Sequence, residues 1–248
     1  MPRAVRAVVS AAVWPVWAII VVTWTPLVAL AFVLTAWWDR RRWWVGRVFR
    51  LAAAAALRAT PLWTARYTGE LPADRDRPYV VVSNHVSLAD VVVLGALPWE
   101  MKWVSKVANF RIPLLGQMMR MAGDVRVKRD DRESRKRAYG ELKAWVERGV
   151  PVIIFPEGTR SKTGEMLPFR NGAFRLAIET GTPVLPLALH GTREAIQKGS
   201  LVFGSAEAKV AIGDPVPVEG LGLEDVEELR DRVRAMIRRR RDELAGGG

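Results

Sequence analysis

Tyr79-Val80-Val81-Val82-Ser83-Asn84-His85-Val86-Ser87-Leu88-Ala89-Asp90 is the stretch that decides the fold. A short β-branched run ends in polar residues. Ser87, a good N-cap, then opens a helical stretch over 88–97, with Asp90 three positions on, where a capping box closes. A strand that feeds directly into a helix is the building unit of an α/β domain. It sets His85 at the carboxyl end of the strand, the edge where sites of such sheets gather.

The alternation extends along the chain from about residue 64. Strands are expected at 65–68, 79–83, 102–104, 125–127, 150–155, 184–189 and 208–212, and helices at 88–97, 114–121, 132–148, 173–179 and 224–244. The expectation is an α/β fold with a largely parallel central sheet flanked by helices. Residues 161–164 and 213–217 read as loops, and the terminal Gly-Gly-Gly as a frayed tail. The last helix carries acids first (Glu224, Asp225, Glu227, Glu228) and arginines last (Arg238 to Arg241), the order the helix dipole favours.

The first 50 residues differ from the rest. They hold seven Arg and one acid, Asp39, together with seven of the eleven Trp. Between the basic flanks, residues 7–38 are uncharged for 32 positions, well beyond the roughly 18 apolar residues that make a membrane segment the default reading. Trp beside Arg suits a head-group belt, because indole presents an apolar body and one N–H donor. As one helix the segment would run about 48 Å, longer than a hydrocarbon core of roughly 30 Å. It must tilt, kink or fold back. Pro15 and Pro26 each remove a helical N–H, and a break at Thr25-Pro26 would give a kinked span or two short helices dipping into one leaflet. A cleaved signal peptide is the competing reading, since Arg3 and Arg6 precede the run and Ala29-Leu30-Ala31 resembles a cleavage site, but the run exceeds an ordinary h-region. The arginines after Trp38 outnumber those before Ala7, which directs the remainder to the cytoplasmic face of the cell membrane. The division expected is residues 1–50 as a membrane-anchoring helical segment and 51–248 as the α/β domain.

Composition narrows the chemistry. The 248 residues include no Cys and two His, His85 and His190, so there is no thiolate nucleophile and little for a histidine-built metal centre. The net charge of +12 calls for an anionic partner, and its concentration beside an apolar segment favours phospholipid over nucleic acid.

Three constellations could carry chemistry. His85 and Asp90 read either as a His–Asp dyad, the carboxylate fixing the tautomer while the other ring nitrogen takes a proton from a hydroxyl, or as a turn histidine beside an ordinary cap. Phe155-Pro156-Glu157-Gly158-Thr159-Arg160-Ser161 follows another strand, and Gly158 lets backbone N–H groups approach an anion that Thr159, Arg160 and Ser161 could bind; a polar β-turn is the plainer reading. Residues 102–129 carry Lys102, Lys106, Arg111, Arg120, Arg126, Lys128 and Arg129, as a phosphate site or as a solvated or lipid-facing surface. His190 reads as a turn residue without a role.

Together these blocks resemble the glycerophospholipid acyltransferase family, in particular the 1-acylglycerol-3-phosphate (lysophosphatidate) acyltransferases, over residues 79–192. His85 and Asp90 match its N-H-x-x-x-x-D block. Lys106, Pro113, Gly116 and the run 123–129, ending in Arg129, look like the second block, with polar Arg126 and Lys128 where apolar residues are more usual. Phe155 to Ser161 matches the F-P-E-G-T-R-S block, and Thr182 to Leu187 is similar to the fourth. The resemblance implies that His85 acts as base on the 2-hydroxyl of lysophosphatidate, that Asp90 orients it, and that Lys106, Arg129, Glu157, Gly158, Thr159 and Arg160 hold the glycerol phosphate. It implies acyl-CoA or acyl-carrier protein as co-substrate, a lysophospholipid acceptor, a bilayer as partner, no nucleic acid, no metal and no cofactor. The nearest alternatives are the same chemistry on another lysolipid or glycolipid, or a non-catalytic membrane lipid-binding protein.

Overall fold

The computed structural model describes residues 3–74, 77–161, 163–197 and 199–246. Lys162 of the expected 161–164 loop and the last two glycines lie outside these residues. Seven strands form one sheet: β1 (Trp63–Thr68), β2 (Val80–Ser83), β3 (Lys102–Lys106), β4 (Val125–Val127), β5 (Val152–Ile154), β6 (Val184–His190) and β7 (Ala206–Ile212). Their order is β1-β7-β6-β2-β5-β3-β4, and every pairing is parallel except β6 with β7. The expected largely parallel α/β sheet is what the chain forms, and each strand falls on an expected run.

The side-chain period of two sorts the strands onto two faces. Val80 and Val82 of β2 pack with Val152 of β5 against Leu142 and Trp145 of α5 (Arg132–Glu147), Phe174 of α6 (Gly172–Glu179) and Leu229 and Val233 of α7 (Val226–Gly246). Val81 and Ile153 point the other way, toward Val93 and Leu94 of α3 (Ala89–Gly95) and Leu57 of α2 (Trp43–Arg58). Both faces are covered, so the strands read as continuous apolar runs.

The amino-terminal region departs from expectation. Residues 3–35 form one helix, α1 (Arg3–Thr35), with Pro15 and Pro26 inside it and no break at Thr25-Pro26. Pro26 leaves the Val22 carbonyl without its helical donor, and on the same turn the Thr23 and Thr25 hydroxyls donate to the Ile19 and Val21 carbonyls at 2.8 and 2.7 Å. Packing on either side of the prolines supports the continuous helix. Three tryptophans expected at a head-group belt are used for this docking instead. Trp14 donates to the Leu201 carbonyl, Trp17 to the Thr60 hydroxyl and Trp24 to the Val48 carbonyl. Trp14 and Trp17 pack edge-on against Phe203, with centroids 5.2 and 5.1 Å away. Trp37, Trp38 and Trp44 remain exposed.

The second helix of the region is α2, where a basic flank is expected from sequence, and the expected boundary at 50/51 falls inside it. Asp39 caps it, accepting from the Trp43 and Trp44 amides at 3.0 and 2.9 Å. Arg50 on its inner face is buried beside Glu100 and Asp124, and Lys102 donates to Glu100 at 2.9 Å. This buried ionic group joins α2 to the sheet. Outward from α2 lies α1, whose exposed face carries Val8, Ile19, Val22, Leu30 and Val33.

Candidate active site

The site is built at the carboxyl ends of β2 and β5. Beyond Ser83 the ladder is continued by a side chain: Asn84 accepts from the Leu189 amide and donates to its carbonyl, both at 2.8 Å, which fastens the end of β2 to β6. His85 follows. Its amide donates to Glu157 Oε1 at 2.7 Å and its carbonyl accepts from the Ser161 amide at 3.0 Å, so the loop after β5 holds the His85 backbone from both sides. The ring stacks on Phe155, with centroids 4.1 Å apart and planes 14° from parallel.

His85 Nδ1 lies 2.8 Å from Asp90 Oδ2. That oxygen also accepts from the Val86 and Ser87 amides at 2.7 and 2.9 Å, and Asp90 Oδ1 accepts from the Thr192 hydroxyl. Asp90 is fully buried, with donors on both oxygens. A carboxylate at Nδ1 assigns the proton to that nitrogen and leaves Nε2 as the basic atom. Between the two open readings, the geometry is that of a dyad. The expected capping box forms in part: Asp90 Oδ2 accepts from the Ser87 amide, and the Ser87 hydroxyl accepts from the Ala89 amide at 3.3 Å while donating to the Ile196 carbonyl at 3.0 Å.

Glu157 was expected among the residues that hold a phosphate. Its carboxylate is instead 3% exposed and taken up by two backbone amides, those of His85 and of Leu167 at 2.9 Å. A buried carboxylate so engaged orders two loops and would repel an anion. Burial pushes its pKa up to about 7, against the pull of those two amides.

Gly158 adopts φ +70°, and a Cβ there would sit 2.9 Å from Arg170 Nε, so this position needs glycine for both its backbone and its neighbour. Arg129, after β4, is half-buried, and burial first, then the like charges of Arg170 and Arg160, hold its guanidinium below its ordinary pKa. Arg129 and Arg160, expected from sequence, therefore share a cluster with Arg170, which was not. Nothing in the sequence marked Arg170 among 38 basic residues, since the fold alone returns the loop after Phe169 to Gly158. Lys106 ends β3 at the same edge and is exposed, and Thr159 is half-buried within the loop. Thr192 was missed for the same reason as Arg170. His190 ends β6 beside Lys209, and burial lowers its pKa.

A general base at a sheet edge, flanked by clustered guanidiniums, can activate a hydroxyl on an anionic molecule. Residues 64–190 match the acyltransferase family, and the chain belongs to it. Among curated relatives it is similar to the chloroplastic 1-acyl-sn-glycerol-3-phosphate acyltransferase of Brassica napus, 40% identical over 142 residues, covering 57% of this chain and 41% of that protein. It is 34% identical over 160 residues to the human 1-acyl-sn-glycerol-3-phosphate acyltransferase alpha, covering 64% of this chain and 56% of that one. The chain spans about half the length of the curated relatives it matches. Among solved structures it resembles the 1-acyl-sn-glycerophosphate acyltransferase of Thermotoga maritima, with a TM-score of 0.83 at 27% identity over 99% of this chain and 98% of that one.

Proposed function

We propose that the chain transfers a fatty acyl group from a thioester, acyl-CoA or acyl-carrier protein, to the 2-hydroxyl of lysophosphatidate, giving phosphatidate in phospholipid biosynthesis. The observation that carries this reading is the 2.8 Å contact of His85 Nδ1 with a buried, fully donated Asp90. His85 Nε2 takes the hydroxyl proton as the oxygen attacks the thioester carbonyl. The C–S bond then breaks, and the imidazolium returns the proton to the leaving thiolate. Asp90 stabilises the imidazolium in between. The transfer is direct, in keeping with a chain that has no Cys, and the step draws only on side chains, with no metal or cofactor. Arg129, Arg160 and Arg170, with Lys106 and the Gly158–Thr159 backbone, bind the acceptor phosphate. The names of the relatives above support the acceptor, and the guanidinium cluster supports a phosphorylated one.

The protein works at the cytoplasmic face of a membrane, consistent with the greater number of arginines after Trp38. One face of α1 packs on the domain and the other is an apolar stripe, an arrangement that suits a helix lying in one leaflet better than one crossing the bilayer. The test is purified chain in detergent with acyl-CoA or acyl-carrier protein and lysophosphatidate, following thiol release and phosphatidate. Turnover is expected, abolished in His85→Ala with the melting temperature retained. No turnover with either donor, or substantial activity in that variant, would overturn the reading.

A further inference from the structure

A second cationic cavity lies at the opposite edge of the sheet. Its volume is about 710 Å³, and it opens where the end of α1, the start of α2, α4 (Leu115–Ala122) and the amino end of β4 meet. His85, Glu157 and Arg129 follow the carboxyl ends of parallel strands, whereas this cavity takes in Gly123 and Asp124 just before β4 and Arg148 just before β5. The cavity therefore lies toward the amino ends of β4 and β5, and the His85 site toward the carboxyl ends of β2 and β5.

Five guanidiniums line it, from Arg40, Arg42, Arg120, Arg126 and Arg148. Among the described residues none of them is in an ion pair with a carboxylate. Three acids share the lining, and two are already engaged: Asp39 caps α2 with both oxygens, and Asp124 pairs with buried Arg50. Asp39 still attracts Arg42, and Glu141 is the third acid, so five cations meet three carboxylates, one of which Arg50 already neutralises. Arg42 is held in place, its backbone in the left-handed region (φ 49°) and its guanidinium donating to the Arg120 carbonyl at 2.7 Å. Burial, and then the like charge of Arg148, lowers the Arg42 pKa against the opposing pull of Asp39. A fold that collects like charges around one cavity is short of an anion there.

The surroundings identify the kind of anion. Phe32, Thr35 and Ala36 of α1 form one wall. The chain next to that wall exposes Leu34, Trp37, Trp38 and Trp44, at 60%, 82%, 49% and 54%, and Leu34 belongs to the apolar outward side of α1. Indoles and aliphatic side chains beside clustered arginines match the boundary between head group and acyl chain. A soluble anion would need only the cations.

We propose that this cavity binds the phosphate of an anionic phospholipid, with the acyl chains lying along the outward side of α1. This lipid is distinct from the acceptor at His85 and anchors the α1–α2 unit to the membrane. The proposal goes beyond acyl transfer and is tested by binding alone.

The full chain in uncharged detergent micelles is titrated calorimetrically with dihexanoyl phosphatidylglycerol. Saturable one-site binding is expected, with Arg126→Gln and Arg148→Gln each weakening it about tenfold, the loss of one charge-assisted contact. Arg41→Gln, an equal charge change on an exposed neighbour that does not line the cavity, should shift it less than about twofold. Melting temperatures check that the variants fold. Unchanged affinity in both cavity variants overturns the proposal. So does displacement of the lipid by an equal concentration of inorganic phosphate, which would mark a free-anion site. Free CoA binding more tightly than the lipid, with the same dependence on Arg126 and Arg148, would assign the cavity to the acyl donor and overturn it too. Thiol release in the same preparation tests the catalytic reading separately.

Discussion

The Thr192 hydroxyl donates to Asp90 Oδ1 across 102 residues of sequence, while Asp90 Oδ2 receives His85 Nδ1. The segment that carries Thr192 also supplies the Ile196 carbonyl to the Ser87 hydroxyl, and Ile196 and Phe203 pack in one cluster with Val13, Trp14 and Trp17 of α1. The apolar helix thus supports the loop that positions the dyad.

Thr192→Val should lower kcat about tenfold with little change in the KM for the acceptor, because it leaves one Asp90 oxygen without its donor and touches no substrate-binding group. Thr192→Ser should restore most of the rate. Steady-state kinetics on the two variants decides it; an equal loss in both would show that only packing matters.

Arg170→Ala should raise the acceptor KM about tenfold while kcat changes less, as expected for the loss of a charge-assisted contact to phosphate. Gly158→Ala should mimic it, since its Cβ would press on the Arg170 guanidinium. An unchanged KM in both variants would remove Arg170 from the acceptor site.

Glu157 has its pKa raised to about 7 by burial, from an ordinary 4.5. A carboxyl with a raised folded-state pKa contributes fully to stability below pH about 4.5 and loses that contribution as pH rises through about 7. Its share of the stability-versus-pH curve should therefore slope downward across that window. Glu157→Gln should be less stable, because an amide nitrogen would face a backbone N–H, and should lack this downward component. Thermal melts of both proteins from pH 4 to 8 provide the comparison.

Arg50→Leu should destabilise the fold by about 3–5 kcal/mol, because it strands buried Glu100 and Asp124 without their shared cation. Gly46→Ala should also destabilise, its Cβ overlapping the Glu100 carboxylate, by about 1–3 kcal/mol. Chemical denaturation would measure both, and a neutral Arg50→Leu would mean that α2 is held by apolar packing alone.

Much of the fold was legible because its signals are local. Val80 to Val82, Val152 to Ile154 and Val184 to Leu189 are apolar runs bounded by turns, and each is a buried strand. His85 and Asp90 were readable together because five residues across a strand-to-helix turn bring them into contact. Glu157 was readable as a site residue but not in its role, since its identity suggests a polar loop and only its burial against the His85 amide shows what it contacts.

The amino-terminal segment shows the limit most plainly. Its composition marked it as apolar, basic at the ends and rich in Trp, and that alone pointed to lipid. Composition could not divide the tryptophans between membrane and protein: Trp14, Trp17 and Trp24 find partners at Leu201, Thr60 and Val48, residues 187, 43 and 24 positions away. Nor could it show that Pro26 would be carried within a helix stabilised by packing on both sides. The α/β class, the strand runs and the His85–Asp90 pair are legible in the chain alone, because each depends on neighbours within a few residues. The tertiary structure decided which cations share a pocket, what Glu157 and Thr192 hold, and how α1 lies, because those contacts close over tens to hundreds of residues and leave no period in the chain.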